Sequence, residues 1–196
     1  MAQEKTVPLE LELLCQKLEQ DYSEKIKGTG TNEIAQKRNF FSKAIAAFIL
    51  HEEADATIDE AVEASIDGGL DHGIDSVLID SNHTIWLVQT KYIDAGIGEP
   101  ELGDVSKFRD GVIDLLEGKF ERFNELLNKK TQQIKNALDT GVAKVKVILA
   151  YSGSAISDDR RHIFSDIERA FNDSSPEFVR CYAYGLNTLH EINVNS

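Results

Sequence analysis

Three polar side chains stand where the hydrophobic pattern of the chain predicts buried β-strands. Asp75 opens one apolar segment, and Gln89 and Lys91 close the next one. A buried charge without a partner is costly, so such residues need a structural or chemical reason. Carboxylate, amide and backbone carbonyl oxygens are ligands of Mg²⁺, which takes few protein ligands and keeps several waters. The residue types therefore predict a site for Mg²⁺ or Mn²⁺ held by Asp75, Gln89 and the Thr90 carbonyl.

A lysine beside such an ion has a chemical use. Lys91 could position an attacking water and stabilise the negative charge that develops on a phosphate. This combination predicts hydrolysis of a phosphodiester bond. The alternative is that Asp75 and Lys91 form an internal ion pair with no catalytic role.

The hairpin between the two strands decides whether these groups meet. A turn at residues 81–83 would pair Asp80 with Thr84, and counting back places Asp75 opposite Gln89. Because side chains alternate along a strand, we expect the Asp75, Gln89 and Lys91 side chains on one side of the sheet. Three glycines, Gly68, Gly69 and Gly73, would allow another backbone to approach closely.

The same residues resemble a known signature. Gly73-Ile74-Asp75 followed by Gln89-Thr90-Lys91 resembles the motif of the PD-(D/E)xK nuclease superfamily, in the glutamine form typical of Mrr-type restriction endonucleases. The longer segments 67–75 and 87–92 resemble the N-terminal domain of abortive-infection phage resistance (AIPR) proteins. The resemblance implies an α/β fold with a restriction-endonuclease-like α-β-β-β-α-β core, in which helices flank a mixed central sheet. It also implies a Mg²⁺- or Mn²⁺-dependent nuclease in bacterial anti-phage defence, acting on DNA or on RNA, with DNA the favoured substrate.

The resemblance also assigns roles. Asp75 would be the main metal ligand, Gln89 the second ligand in place of the family's acid, and Lys91 the catalytic lysine. The family often adds a glutamate from the first core helix, for which the chain offers Glu33 and Glu53. Because an amide brings no charge, a catalytically inactive nuclease-fold module that binds a protein or nucleic acid is the alternative function.

Asp71, just before the motif, has two interpretations. It could bind a second metal ion or fix the loop, or it could be a turn carboxylate bonded to its own backbone.

The elements that must position these residues follow from hydrophobic periodicity and from helix caps. We interpret residues 1–196 as one domain in four parts: a helical part (1–66), the motif hairpin (67–92), a helical insertion (93–141) and a strand–helix–strand unit (142–196). The spacing predicts helices over 7–26, from about 33, 57–65, 104–117, 119–138 and 157–171. It predicts strands over 74–80, 84–92, 142–151 and 178–184, with no further element after the last strand. The third core strand lies either within 93–104 or at 143–151.

Charge is unevenly distributed along the chain. The formal net charge of −13 opposes non-specific attraction to phosphates. Residues 52–80 contain ten acids and no Lys or Arg, whereas residues 119–146 contain seven basic residues and three acids. Lys129, Lys130 and Lys135 could therefore follow a nucleic-acid backbone, although a solvated helix face would look the same.

The setting is predicted from what the sequence lacks. No apolar run approaches the roughly 20 residues of a membrane span, and the N-terminus has no signal-peptide pattern. The two cysteines form neither a disulfide framework nor a zinc motif. We expect a cytoplasmic protein without a membrane partner. A homodimer would suit a nuclease that cuts duplexes, and the greater length usual in AIPR proteins suggests a fragment of a longer chain or a partner protein.

Overall fold

A computed structural model describes residues 7–173 and 177–196. The N-terminal part forms α1 (Leu9–Tyr22), α2 (Glu33–Glu53) and α3 (Ile58–Glu63), and the hairpin forms β1 (Ser76–Ile79) and β2 (Thr84–Lys91). The following helices are α4 (Leu102–Leu116), a 3₁₀ turn (Phe120–Arg122), α5 (Glu125–Asn128) and α6 (Thr131–Asp139). The chain then forms β3 (Lys144–Tyr151), α7 (Asp158–Phe171), β4 (Val179–Tyr184) and α8 (Leu186–Asn195).

The four strands form one open mixed sheet in the order β1-β2-β3-β4. β1 pairs antiparallel with β2, and β2–β3 and β3–β4 are parallel. The fold is therefore α/β, as predicted, and the parallel strand–helix–strand unit at the end of the chain is confirmed. The β1–β2 ladder pairs Ile79 with Ile85, so the predicted register, with Asp80 beside Thr84, is also confirmed.

Alternation along the strands builds a hydrophobic core on each face of the sheet. Ile85 and Leu87 of β2 join the core under α4, α6 and α7. Trp86 and Val88 join the core under α1, α2 and α8. Strand β2 is buried on both faces, which is what its nearly continuous apolar sequence predicts.

Two predicted elements need correction. Residues 119–138 are not one helix, because the Asn124 side chain accepts a hydrogen bond from Leu127 N–H and starts α5, and α6 begins separately at Thr131. The end of the chain does contain a final element, α8, which packs on α1. No strand occurs between residues 93 and 101, so β3 is the third strand of the sheet.

Candidate functional site

The loop between α3 and β1 carries three aspartates at four-residue spacing, Asp67, Asp71 and Asp75. Asp71 organises this loop, because its carboxylate accepts hydrogen bonds from Gly73 N–H at 2.8 Å and from Gly68 N–H at 3.3 Å. Lys107 of α4 pairs with the same carboxylate at 2.9 Å. Asp71 therefore bonds to its own backbone, as the turn interpretation predicted.

Close packing on α4 fixes the end of the loop. Gly73 has φ +79°, and a Cβ there would lie 2.9 Å from the backbone nitrogen of Phe108. Only glycine allows this contact, so the prediction of a close approach is confirmed at Gly73. It is wrong at Gly68 and Gly69, where a Cβ would meet nothing within 4 Å.

Asp75 lies where β1 begins and the edge of β2 becomes free. Its backbone N–H donates to Val88 O at 2.8 Å, and its Oδ2 accepts the Thr90 N–H at 2.6 Å. The carboxylate thus accepts the Thr90 N–H that would otherwise pair with the next residue of a neighbouring strand. The Thr90 hydroxyl lies 3.0 Å from the same Oδ2 and 2.8 Å from the Ser42 carbonyl of α2.

Gln89 and Lys91 share the opposite side of β2, against α4. Gln89 Nε2 donates to the Asp104 carbonyl at 3.4 Å, and Lys91 Nζ pairs with the Asp104 carboxylate at 2.9 Å. Within residues 7–173 and 177–196, no hydrogen bond or ion pair joins Asp75 to Gln89 or Lys91. The Asp75 carboxylate bonds to Thr90 instead, whereas Gln89 and Lys91 bond to Asp104. That all three side chains share one face stays a prediction.

The three aspartates of the loop form a cluster instead. One oxygen from each of Asp67, Asp71 and Asp75 lies within 4.8 Å of the others. Asp67 is held from α2, where Asn39 donates to it at 3.2 Å and Lys43 pairs with it at 3.3 Å. Sequence reasoning missed Asp67 as a site residue, although its regular spacing from Asp71 and Asp75 was visible.

The electrostatics differ within this cluster. Burial raises the pKa of Asp75 to about 7, the Thr90 N–H opposes the shift, and the negative charges of Asp67 and Asp71 add to it. Burial also works against ionisation of Asp71, but hydrogen bonds from Gly73 and Lys107 outweigh it and hold the pKa of Asp71 below its usual value. The cluster thus combines an acid that stays ionised with one that gives up its proton near neutrality.

A pocket of about 300 Å³ opens beside this cluster. Two of the aspartates and the end of β2 line it together with basic and polar residues of α2. The lining consists of Arg38, Asn39, Ser42, Lys43, Asp67, Asp75, Thr90, Lys91 and Tyr92. The pocket therefore presents carboxylates and cationic side chains to the same space.

The predicted helix glutamates lie outside this pocket. Glu33 is exposed in the first turn of α2, and Glu53 lies at the far end of α2, with the Tyr184 hydroxyl 3.5 Å away. The positions of α2 that line the pocket are Arg38, Asn39, Ser42 and Lys43. The helix thus contributes a guanidinium, an amide, a hydroxyl and an ammonium group instead of the expected carboxylate.

The predicted basic helix also lies outside the pocket. Lys130 lies 3.5 Å from the Glu63 carbonyl, and burial lowers its pKa. Lys135 lies over the Phe120 ring, and Lys129 is exposed at the end of α5. These contacts favour the structural interpretation of Lys130 and Lys135.

The donor set suits a hard divalent cation. Asp67, Asp71 and Asp75 supply carboxylate oxygens. The amide oxygen Oε1 of Gln89 is buried without a hydrogen-bond partner among the described residues. Gln89 is only 3% exposed, and its amide lies against Gly73 at the end of the aspartate loop. Oxygen ligands of this kind suit Mg²⁺ and Mn²⁺.

Comparison with known protein families, with curated proteins and with solved structures finds no match to this chain. Among the described residues, no helix is both long and apolar enough to cross a bilayer.

Proposed function

We propose that the chain is a metal-dependent nuclease that hydrolyses phosphodiester bonds of nucleic acids, with DNA favoured over RNA, in bacterial anti-phage defence. The observation that carries the proposal is one pocket that combines carboxylates suited to a divalent cation with Arg38, Lys43 and Lys91. Carboxylates alone would suit a cation, and basic residues alone would suit an anion. Both together suit a phosphate group bound through a metal ion.

Each group has a role in this proposal. Asp75 and Asp67, with Asp71 beside them, would hold Mg²⁺ or Mn²⁺, and Gln89 would add an amide oxygen. The ion would polarise the phosphate and lower the pKa of a bound water. Lys91, held by Asp104, would donate hydrogen bonds to a phosphate oxygen and balance its developing charge. Arg38 and Lys43 would orient the phosphate from the α2 side.

The topology is compatible with the proposed nuclease core. Helix, hairpin, third strand, helix and last strand follow one another in the expected order, with α4–α6 inserted between β2 and β3. We place the protein in the cytoplasm. The proposal also includes a homodimer or a partner protein that would add a basic surface.

The inactive-module alternative loses its simplest structural basis. Lys91 pairs with Asp104 and not with Asp75, so an internal Asp75–Lys91 ion pair does not explain the motif. The net charge of −13 opposes broad contact with nucleic acid and so still favours the inactive-module alternative. A cleavage assay distinguishes the two functions.

The test is incubation of the purified chain with plasmid DNA, single-stranded DNA and RNA in Mg²⁺ or Mn²⁺. We expect cleavage, strongest on DNA, and a loss of about 100-fold or more in Asp75→Ala and Lys91→Ala. Arg169→Ala is the control, because Arg169 is exposed on α7 outside the pocket, and it should cleave like the wild type. Divalent cations should also raise the melting temperature of the wild type but not of Asp75→Ala.

The absence of cleavage on all three substrates would contradict the proposal. So would cleavage that persists in both Asp75→Ala and Lys91→Ala. If the wild type binds nucleic acid without cutting it, the inactive-module alternative is correct.

A further inference from the structure

A second groove adjoins the carboxylate pocket. It lies between α2, α3 and β1, has a volume of about 180 Å³ and shares Lys43 with the first pocket. We call it the lysine groove. Its lining consists of Lys25, Ile26, Lys27, Lys43, Ala61, Val62, Ser65 and Ser76.

The charge of the lysine groove is opposite to that of its surroundings. Part of its wall comes from residues 52–80, which contain ten acids and no basic residue. Yet this acidic segment contributes only Ala61, Val62, Ser65 and Ser76 to the lining. The lining therefore has three lysines and no carboxylate, in a protein with 34 acidic residues. Such a local reversal of charge favours an anion.

The three lysines are differently engaged. Lys25 pairs with Asp59, whose side chain is 73% exposed, and Lys43 pairs with Asp67 of the aspartate cluster at 3.3 Å. Lys27 forms no ion pair with any residue that the structure describes. The groove thus offers one free ammonium group and a second one, on Lys43, at the junction with the carboxylate pocket.

We infer that the lysine groove binds the backbone phosphates of a single nucleic-acid strand that continues into the carboxylate pocket. The inference rests on the proposed function and names the path of its substrate. The small volume suits one sugar–phosphate backbone and not the width of a duplex. Lys27 and Lys43 would contact consecutive stretches of that backbone, and Ser65 and Ser76 offer hydroxyl donors. Lys43 links the two binding regions.

Binding measured without divalent cations tests this inference separately from cleavage. Fluorescence anisotropy with a labelled 12-nucleotide single strand, in chelator and over a salt series, gives the affinity and its salt dependence. In Lys27→Ala we expect weaker binding, and a slope of log K against log salt that is shallower by about 0.7, the value for one lost single-strand phosphate contact. Inorganic phosphate as competitor separates backbone binding from capture of a free anion.

Arg169→Ala is the control, because it removes an exposed basic residue of α7 that lines neither pocket, and it should leave the slope unchanged. Equal slopes for the wild type and Lys27→Ala would overturn the inference. So would tighter binding of the matching duplex than of the single strand, or full displacement of the strand by equimolar phosphate. If Lys27-dependent binding occurs without cleavage, only the proposed nuclease activity fails. If the chain cleaves but Lys27→Ala binds and cleaves normally, only the lysine groove fails.

Discussion

The two ends of the β1–β2 hairpin use the same residue type in opposite ways. At the turn, Asp80 accepts hydrogen bonds from the backbone N–H groups of Asn82 and Thr84, both at 2.9 Å, and from Trp86 Nε1 at 3.0 Å. At the open end, Thr90 is the only residue of the described chain that donates hydrogen bonds to the Asp75 carboxylate. The turn end faces N–H donors, whereas the open end faces other carboxylates.

The two carboxylates therefore have different roles: Asp80 stabilises the fold, whereas Asp75 belongs to the candidate site. Every strong contact of Asp80 stabilises the turn and the indole it adjoins, so the carboxylate is structurally satisfied. Asp75 lies near Asp67 and Asp71, whose charges raise its pKa in addition to the effect of burial. A carboxylate that the fold holds beside other carboxylates is suited to bind a cation, because a bound cation removes the repulsion between the negative charges.

The largest effect that should distinguish the two ends is the pH dependence of stability that Asp75 causes. Its pKa is about 7 in the folded protein and close to 3.8 when unfolded. Between about pH 4 and pH 7 the folded state therefore binds more protons, and stability falls as the pH rises through this range. The full shift corresponds to up to about 4 kcal/mol.

Urea unfolding in chelator from pH 4.5 to 8 measures this effect. Asp75→Asn cannot ionise at this position, so its stability relative to the wild type should increase steadily with pH and level off above about pH 7. A difference between the two proteins that is independent of pH would show that the pKa of Asp75 is not raised.

The next largest effect is a loss of stability at the turn end. Asp80→Ala removes the acceptor of three hydrogen bonds and leaves the Trp86 indole N–H, on a side chain 2% exposed, without its partner. At about 1 kcal/mol for each bond, the variant should lose about 2–3 kcal/mol of unfolding free energy. Asp75→Asn at pH 7.5 should lose none, because the amide oxygen still accepts from Thr90 and a repulsive charge is removed.

The same urea titrations in chelator check both variants. Equal losses of unfolding free energy in Asp80→Ala and Asp75→Asn would mean that both carboxylates have the same structural role. The assignment of Asp75 to a cation site would then lose this support.

The hairpin register was predictable from the sequence, because it depends on local rules. A short turn at residues 81–83 and the alternation of apolar side chains fix which residues pair. The helix predicted over 57–65 is likewise present as α3, and it begins with a capping box between Thr57 and Glu60, which is a local sequence pattern. These features need no knowledge of distant parts of the chain.

The direction of the Asp75 carboxylate was not predictable in this way. It depends on the free edge of β2 beyond β1, where the Thr90 N–H lacks a strand partner and takes the side chain instead. The partner of Lys91 comes from α4, and the groups facing the cluster come from the middle of α2. Strand alternation contains no information about these tertiary neighbours, so the sequence did not identify Asp104 as the partner of Lys91, or Asn39 and Lys43 as the partners of Asp67.

The smallest effect concerns Gln89, which lies at the open end but on the α4 face. Its buried Oε1 has no hydrogen-bond partner among the described residues, and such an atom costs about 1–3 kcal/mol. Leucine has a similar size, so Gln89→Leu in chelator should raise the unfolding free energy by about 1 kcal/mol. Gln133→Leu, an exposed change on α6, is the matched control and should have little effect.

Repeating these titrations with Mg²⁺ tests whether the amide oxygen belongs to the site. If Gln89 Oε1 is a ligand, Gln89→Leu should gain less stability from the cation than the wild type or Gln133→Leu, since one oxygen donor is missing. An equal gain in all three proteins would restrict the cation to the three aspartates. In that case the aspartate loop before β1 would hold the cation, and Lys91 would be the only residue on the α4 side of β2 that belongs to the proposed site.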